Sequence, residues 1–149
     1  MVISNLNIKL IEDRIGLINR SITRLKKLSS LREETFLDGD TPAIAESYLR
    51  RSLEAIFDVG RHIIARTAGK GIVEYKEVAN ALGTAGVVTK DLSERLRLMA
   101  GYRNRLIHFY HEITDRDLFL IVKNNLSDME NFVKEIKLFI EKYREQRQI

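Results

Sequence analysis

The segment Tyr102-Arg103-Asn104-Arg105-Leu106-Ile107-His108-Phe109-Tyr110-His111 gathers an arginine, an amide, an imidazole and a phenol. These are the groups that RNA phosphodiester cleavage needs when no metal takes part. One group must accept the 2′-hydroxyl proton, another must protonate the leaving oxygen, and a cation must sit over the pentacoordinate phosphate. His108 suits the proton transfers, because imidazole titrates near neutrality. Arg103 keeps its charge and grips two phosphate oxygens with a planar fork. Asn104 can orient His108 or donate to the phosphate, and the Tyr110 phenol can do the same.

The chain around them reads as a helix. Leu92, Leu96, Met99, Arg103, Leu106 and Tyr110 recur at intervals of three and four, so two polar residues interrupt one apolar stripe. Asn104 and His108 are neighbours on the adjacent face. His108 lies five residues after Arg103, about 140° around a straight helix. A shared site therefore requires a cleft between helices, a distortion at the helix end, or the same segment from a second copy. Gly101 costs about 1 kcal/mol against alanine there, which fits room kept for a neighbouring backbone or a substrate.

Taken singly, each group has a plainer reading. Arg103 would pair with an acid on the preceding long helix, Glu54 or Asp58. Tyr110 would be a packing aromatic with a satisfied hydroxyl, and His108 would cap carbonyls near a helix end. His108 and His111, with Glu112 and Asp115 nearby, form only a thin case for a metal site. From Lys90 to His108 the five bases Lys90, Arg95, Arg97, Arg103 and Arg105 exceed the two acids Asp91 and Glu94 by +3. That excess suits a surface tracking a phosphate backbone, or simply a solvated face. His62 reads as structural or solvent-facing. Gly69-Lys70-Gly71 lacks the remaining features of a phosphate loop and reads as a turn.

Four long helices must position this segment. Ile8, Ile11, Ile15, Ile18, Ile22 and Leu25 predict the first, over about Asn5 to Glu33 and ending before Asp38-Gly39. Thr41 is expected to cap the second with Pro42 at its first position. Its stripe runs through Ala45, Leu49, Ser52, Ile56, Val59 and Ile63 as far as Gly69-Lys70-Gly71. A short helix is expected from Glu74 to Leu82, closed by Gly83, although the role of the Lys70 to Val88 segment stays open. Thr89 caps the third long helix, with Asp91 in its first turn. Thr114 and Asp117 make a capping box for the last one, whose stripe is Leu118, Val122, Asn125, Met129, Phe132, Ile136, Phe139 and Tyr143. The expected fold is all-α: an up-and-down bundle of four long helices with a short extra helix, as one domain over residues 1–149. The wide stripes leave a face for self-association as a two-fold dimer.

Composition narrows the function classes. The 149 residues are 44% hydrophobic and 31% charged, a folded, globular balance. The absence of cysteine excludes disulfides and cysteine-ligated zinc, and a reducing cytoplasm is the expected location. Nothing near Met1 resembles a signal peptide, and no apolar run approaches the roughly 20 residues of a membrane span. A net charge of +4 is compatible with nucleic acid without requiring it.

Arg103-Asn104-Arg105-Leu106-Ile107-His108 resembles the Arg-polar-x-x-x-His signature of the HEPN superfamily, small helical proteins that include many metal-independent ribonucleases. With Tyr110 the pattern becomes Arg-x4-His-x-Tyr, which resembles the HepT toxins encoded beside a minimal nucleotidyltransferase antitoxin, MntA. The resemblance implies a homodimer whose two motifs face each other across a composite nuclease cleft, acting on RNA without a cofactor or metal. It also implies AMP transfer by the antitoxin onto the motif tyrosine, here Tyr110; the added negative charge would block the cleft and repel RNA. Two other functions remain open: a non-catalytic module that binds the nucleotidyltransferase or a nucleotide, and a plain helical interaction protein.

Overall fold

The computed structural model describes residues 5–67, 71–108 and 113–147 of the chain. They form seven helices: α1 (Ile8–Ser29), α2 (Glu33–Phe36), α3 (Thr41–Thr67), α4 (Tyr75–Thr84), α5 (Lys90–His108), α6 (Asp115–Asn124) and α7 (Leu126–Arg147). Of the four long ones, α1, α3 and α5 are those the periodicity predicts, and α7 is the C-terminal part of the predicted last helix. α3 is central, in contact with α1, α4, α5 and α6, while α5 also meets α7. Their apolar faces close over one cluster that includes Ile18, Leu53, Phe57, Leu96 and Phe132. Among the described residues no helix is long and apolar enough to cross a membrane.

Several boundaries differ from the sequence expectation, each for a local reason. α1 stops at Ser29 rather than near Glu33. The Ser29 and Ser30 hydroxyls donate to the Lys26 and Lys27 carbonyls, a competition with the helix ladder that favours its termination. Arg32 is then extended and the chain restarts as α2. At the start of α3, the Asp40 carbonyl accepts the first helical bond, from the Ile44 N–H. Thr41 is therefore already inside the helix and Pro42 sits one position later than expected.

The predicted last helix is two helices. Asn125, read as part of its stripe, departs from helical geometry at φ −116° and ends α6. Two consecutive asparagines, weak helix formers, mark the break. The capping box at the start of α6 forms as expected: the Thr114 N–H donates to Asp117, and the Asp117 N–H donates to the Thr114 hydroxyl.

α4 fixes the geometry of the motif helix. Gly83 was expected to close α4, yet that role belongs to Gly86, which has a φ of +73°. Gly83 serves close approach instead: a Cβ there would lie 2.6 Å from Ser93 of α5. The Ser93 hydroxyl donates across the same contact to the Ala79 carbonyl at 2.7 Å. On the other side, a Cβ at Gly60 of α3 would come within 2.9 Å of Val78. Two missing side chains thus let α4 lie tightly against both α3 and α5. Thr89, as expected, caps α5 through the Leu92 N–H, and Glu135 of α7 holds its backbone N–H at 2.7 Å.

Candidate functional site

The stripe of α5 packs as its spacing predicts, with Leu92, Leu96, Met99 and Leu106 all buried. Arg103 occupies the polar gap in that stripe and retains 19% side-chain exposure. Its guanidinium carbon lies 4.2 Å from the centre of the Tyr75 ring. That ring in turn stacks on Phe57 at 4.7 Å, with only 8° between the planes. A cation over an aromatic face is attracted by the ring quadrupole while its edge stays free for hydrogen bonding. Tyr75 opens α4, so the two glycine contacts that seat α4 also seat the platform under Arg103.

The remaining contacts of Arg103 are loose. Its Nη2 is 3.8 Å from Glu54, whose side chain is 45% exposed. Its Nη1 donates to Asn104 Oδ1 at 3.4 Å. Its Nε is buried and has no hydrogen-bond partner among the described residues. The expected ion pair with Glu54 is present, but it is long and leaves donors unused. Asp58, the other expected partner, is engaged elsewhere, by Arg61 at 2.9 Å and Arg14 at 3.5 Å. Arg103 is thus held in place without being saturated by the described residues.

His108 is the last residue of α5; its side chain lies outside the described residues, as does Tyr110 of the expected site and as do His111 and Glu112 of the thin metal-site case. Asn104 is half-buried and engages Arg103. Among the described residues Gly101 makes no room for a neighbour, since a Cβ there would meet none of them within 4 Å. Among the described residues no group of three or more histidine, aspartate or glutamate side chains is placed to hold a metal ion.

Two basic residues sort differently from the sequence reading. Arg95, counted toward a backbone-tracking surface, forms a two-pronged pair with Asp128 of α7 at 3.0–3.2 Å. The hydrogen bonds and charge of that carboxylate raise the Arg95 pKa. His62 is structural: its Nε2 accepts the Asn7 N–H at 2.9 Å, fastening the start of α1 to α3. Burial, and next the nearby Arg66 charge, lower its pKa.

Tyr75 escaped the sequence reading because it is separated from Arg103 by 28 positions and resembles any packing aromatic. The Asp128 pairing left a signal. Asp128 lies four and eight residues before Phe132 and Ile136, so it falls on the apolar stripe of α7 and requires a buried partner.

A family model of HepT-like ribonucleases matches residues 18–136. The chain belongs to the HepT-like ribonuclease family. It is 27% identical over 139 residues to a tRNA nuclease HepT from Aphanizomenon flos-aquae, covering 92% of this chain and 94% of that protein. It is 29% identical over 132 residues to an mRNA nuclease HepT from Shewanella oneidensis, covering 86% and 96%. Among solved structures, the fold matches the tri-AMPylated Shewanella oneidensis HEPN toxin in complex with MNT antitoxin. The TM-score is 0.78 at 26% identity, over 87% of this chain and 97% of that one. These family members carry the helical fold and the ribonuclease assignment that the Arg103–His108 motif led us to expect.

Proposed function

We propose that this chain is a metal-independent endoribonuclease and the toxin of a toxin–antitoxin pair. In this reading Arg103 and His108 work in a composite cleft formed by two copies. The 2′-oxygen of the substrate attacks phosphorus, the bond from phosphorus to the 5′-oxygen breaks, and His108 side chains move the two protons. Arg103 neutralises the charge that accumulates on the equatorial oxygens, and Asn104 holds the Arg103 fork. The observation that carries the reading is that the described residues leave Arg103 unsaturated. It is fixed over Tyr75, only loosely paired with Glu54, and five residues before a histidine in a family of ribonucleases.

Control would come from a cognate MntA-like nucleotidyltransferase. The Tyr110 oxygen attacks the α-phosphorus of ATP, pyrophosphate leaves, and the added AMP brings bulk and negative charge to the motif segment. The AMPylated relative bound to its antitoxin supports this step. His108→Ala is expected to abolish RNA cleavage in EDTA while leaving the assembly folded; undiminished cleavage would remove His108 from the mechanism. Co-expression with the nucleotidyltransferase should raise the intact mass in steps of one AMP, and Tyr110→Phe should remove at least one step. Protein that is inert on diverse RNAs yet binds the nucleotidyltransferase would favour the non-catalytic alternative.

A further inference from the structure

Beside the motif lies an open hollow of about 450 Å³ bordered by Lys76 of α4 and by Arg97, Gly101, Tyr102, Asn104 and Arg105 of α5. Its charge sets it apart. Four other surface hollows bounded by described residues each include an acid: Asp117, Glu135, Glu94 or Glu130. This one has three cations and none. Lys76, Arg97 and Arg105 form no ion pair among the described residues. Arg105 lies 5.3 Å from the Tyr102 ring centre, which limits where its guanidinium can point. Three unneutralised cations on one concave surface repel one another and are stabilised together by an anionic ligand.

The α5 residues fall at 97, 101, 104 and 105, the spacing of a single helical face. Arg97 and Arg105 are about 12 Å apart along the axis, long enough for neighbouring phosphates of an extended strand. Gly101 sits between them, and nothing among the described residues requires a glycine there, since a Cβ would meet none of them within 4 Å. Asn104 belongs to the hollow and also accepts a hydrogen bond from Arg103, so the hollow adjoins the proposed cleavage position.

We propose that this hollow is a substrate subsite that binds the backbone of single-stranded RNA next to the scissile bond. Lys76 and Arg97 hold flanking phosphates, and Gly101 leaves space for the strand to lie against the helix. The inference rests on the nuclease reading and adds the substrate class to it. A single strand fits better than a duplex for two reasons. A-form duplexes are gripped across wide grooves rather than in one small hollow. In-line attack by a 2′-oxygen also needs a backbone free to leave A-form geometry.

The test measures binding of a fluorescein-labelled single-stranded RNA, and of the same sequence as a duplex, across a salt series. The protein is the full chain carrying His108→Ala, so that nothing is cut. Adding Lys76→Ala and Arg97→Ala should weaken single-strand binding and reduce the slope of log K against log salt by about 1.4, two contacts at about 0.7 each. Gly101→Leu, which keeps every charge, should weaken binding at nearly unchanged slope. An unchanged affinity and slope in the double variant, or a parent that prefers duplex or binds no RNA, overturns the proposal. So does a double variant that loses self-association or nucleotidyltransferase binding while still binding RNA normally, since the surface would then belong to a protein partner. Cleavage by the chain with His108 intact is scored separately; its absence would sink the nuclease reading itself.

Discussion

Arg95 and Arg103 lie eight residues apart on one helix and are the same residue type, yet their surroundings differ sharply. Arg95 meets Asp128 through two nitrogens at 3.0–3.2 Å, and the Asp128 side chain is only 9% exposed. The buried carboxylate has its charge answered, and the pair ties α5 to α7. Arg103 is itself the more enclosed of the two, at 19% exposure against 40%, yet its carboxylate contact is long and its Nε has no partner among the described residues. An enclosed guanidinium with unused donors is costly to the fold. In the proposed reaction the substrate phosphate takes those donors. The two arginines differ in saturation as well as in sequence context, since only Arg103 lies on the apolar stripe and five residues before a histidine.

Removing the saturated arginine should have the largest effect on the fold. Arg95→Ala leaves Asp128 buried and unpaired, which costs about 1–3 kcal/mol and lowers Tm by roughly 2–12 °C in a protein of this size. Turnover of the folded fraction should be unchanged. Calorimetry alongside a cleavage assay checks both, and a stable but inactive variant would reverse the assignment.

The platform under Arg103 sharpens the comparison from the other side. Tyr75→Leu removes a cation–ring contact of about 1–2 kcal/mol, so cleavage at saturating RNA should slow by roughly 5- to 30-fold. Tyr75→Phe keeps the ring and should restore most of the rate. A residue that merely packs would alter Tm without this rescue of turnover.

The smallest effect concerns the contact between α3 and the start of α1. His62 has a folded-state pKa below its ordinary 6.5. Above that pH it is neutral whether the chain is folded or not, and its contact with Asn7 is fully available. As pH falls below 6.5 the unfolded chain takes up the proton first, so stability declines until the lower folded pKa is passed. Thermal melts from pH 7.5 to 5 should show a shallower decline for His62→Gln than for the parent; identical profiles would show that His62 contributes nothing to the acid sensitivity.

Much of this was legible in the chain, for reasons that also explain the rest. The four long helices follow from apolar residues at three- and four-residue intervals, and the Thr89 and Thr114 caps follow from local side-chain chemistry. Those signals lie within a few residues of what they determine. The Arg103–His108 spacing was equally local. Tyr75 and Lys76 come to the site only because Gly60 and Gly83 let α4 settle against its neighbours, a long-range fit that no local pattern encodes. The break at Asn125 was missed because the apolar stripe continues in register across it, while the backbone does not.

The most direct measurement is single-turnover cleavage of RNA in EDTA by Arg103→Ala and Arg95→Ala, with the fold of each checked by thermal melting. Loss of the charge that faces the transition state should slow Arg103→Ala by roughly 10²- to 10³-fold, while Arg95→Ala cleaves at the parental rate per folded molecule. Parental cleavage by Arg103→Ala, or equal losses in both variants, would contradict the division of labour between the two arginines.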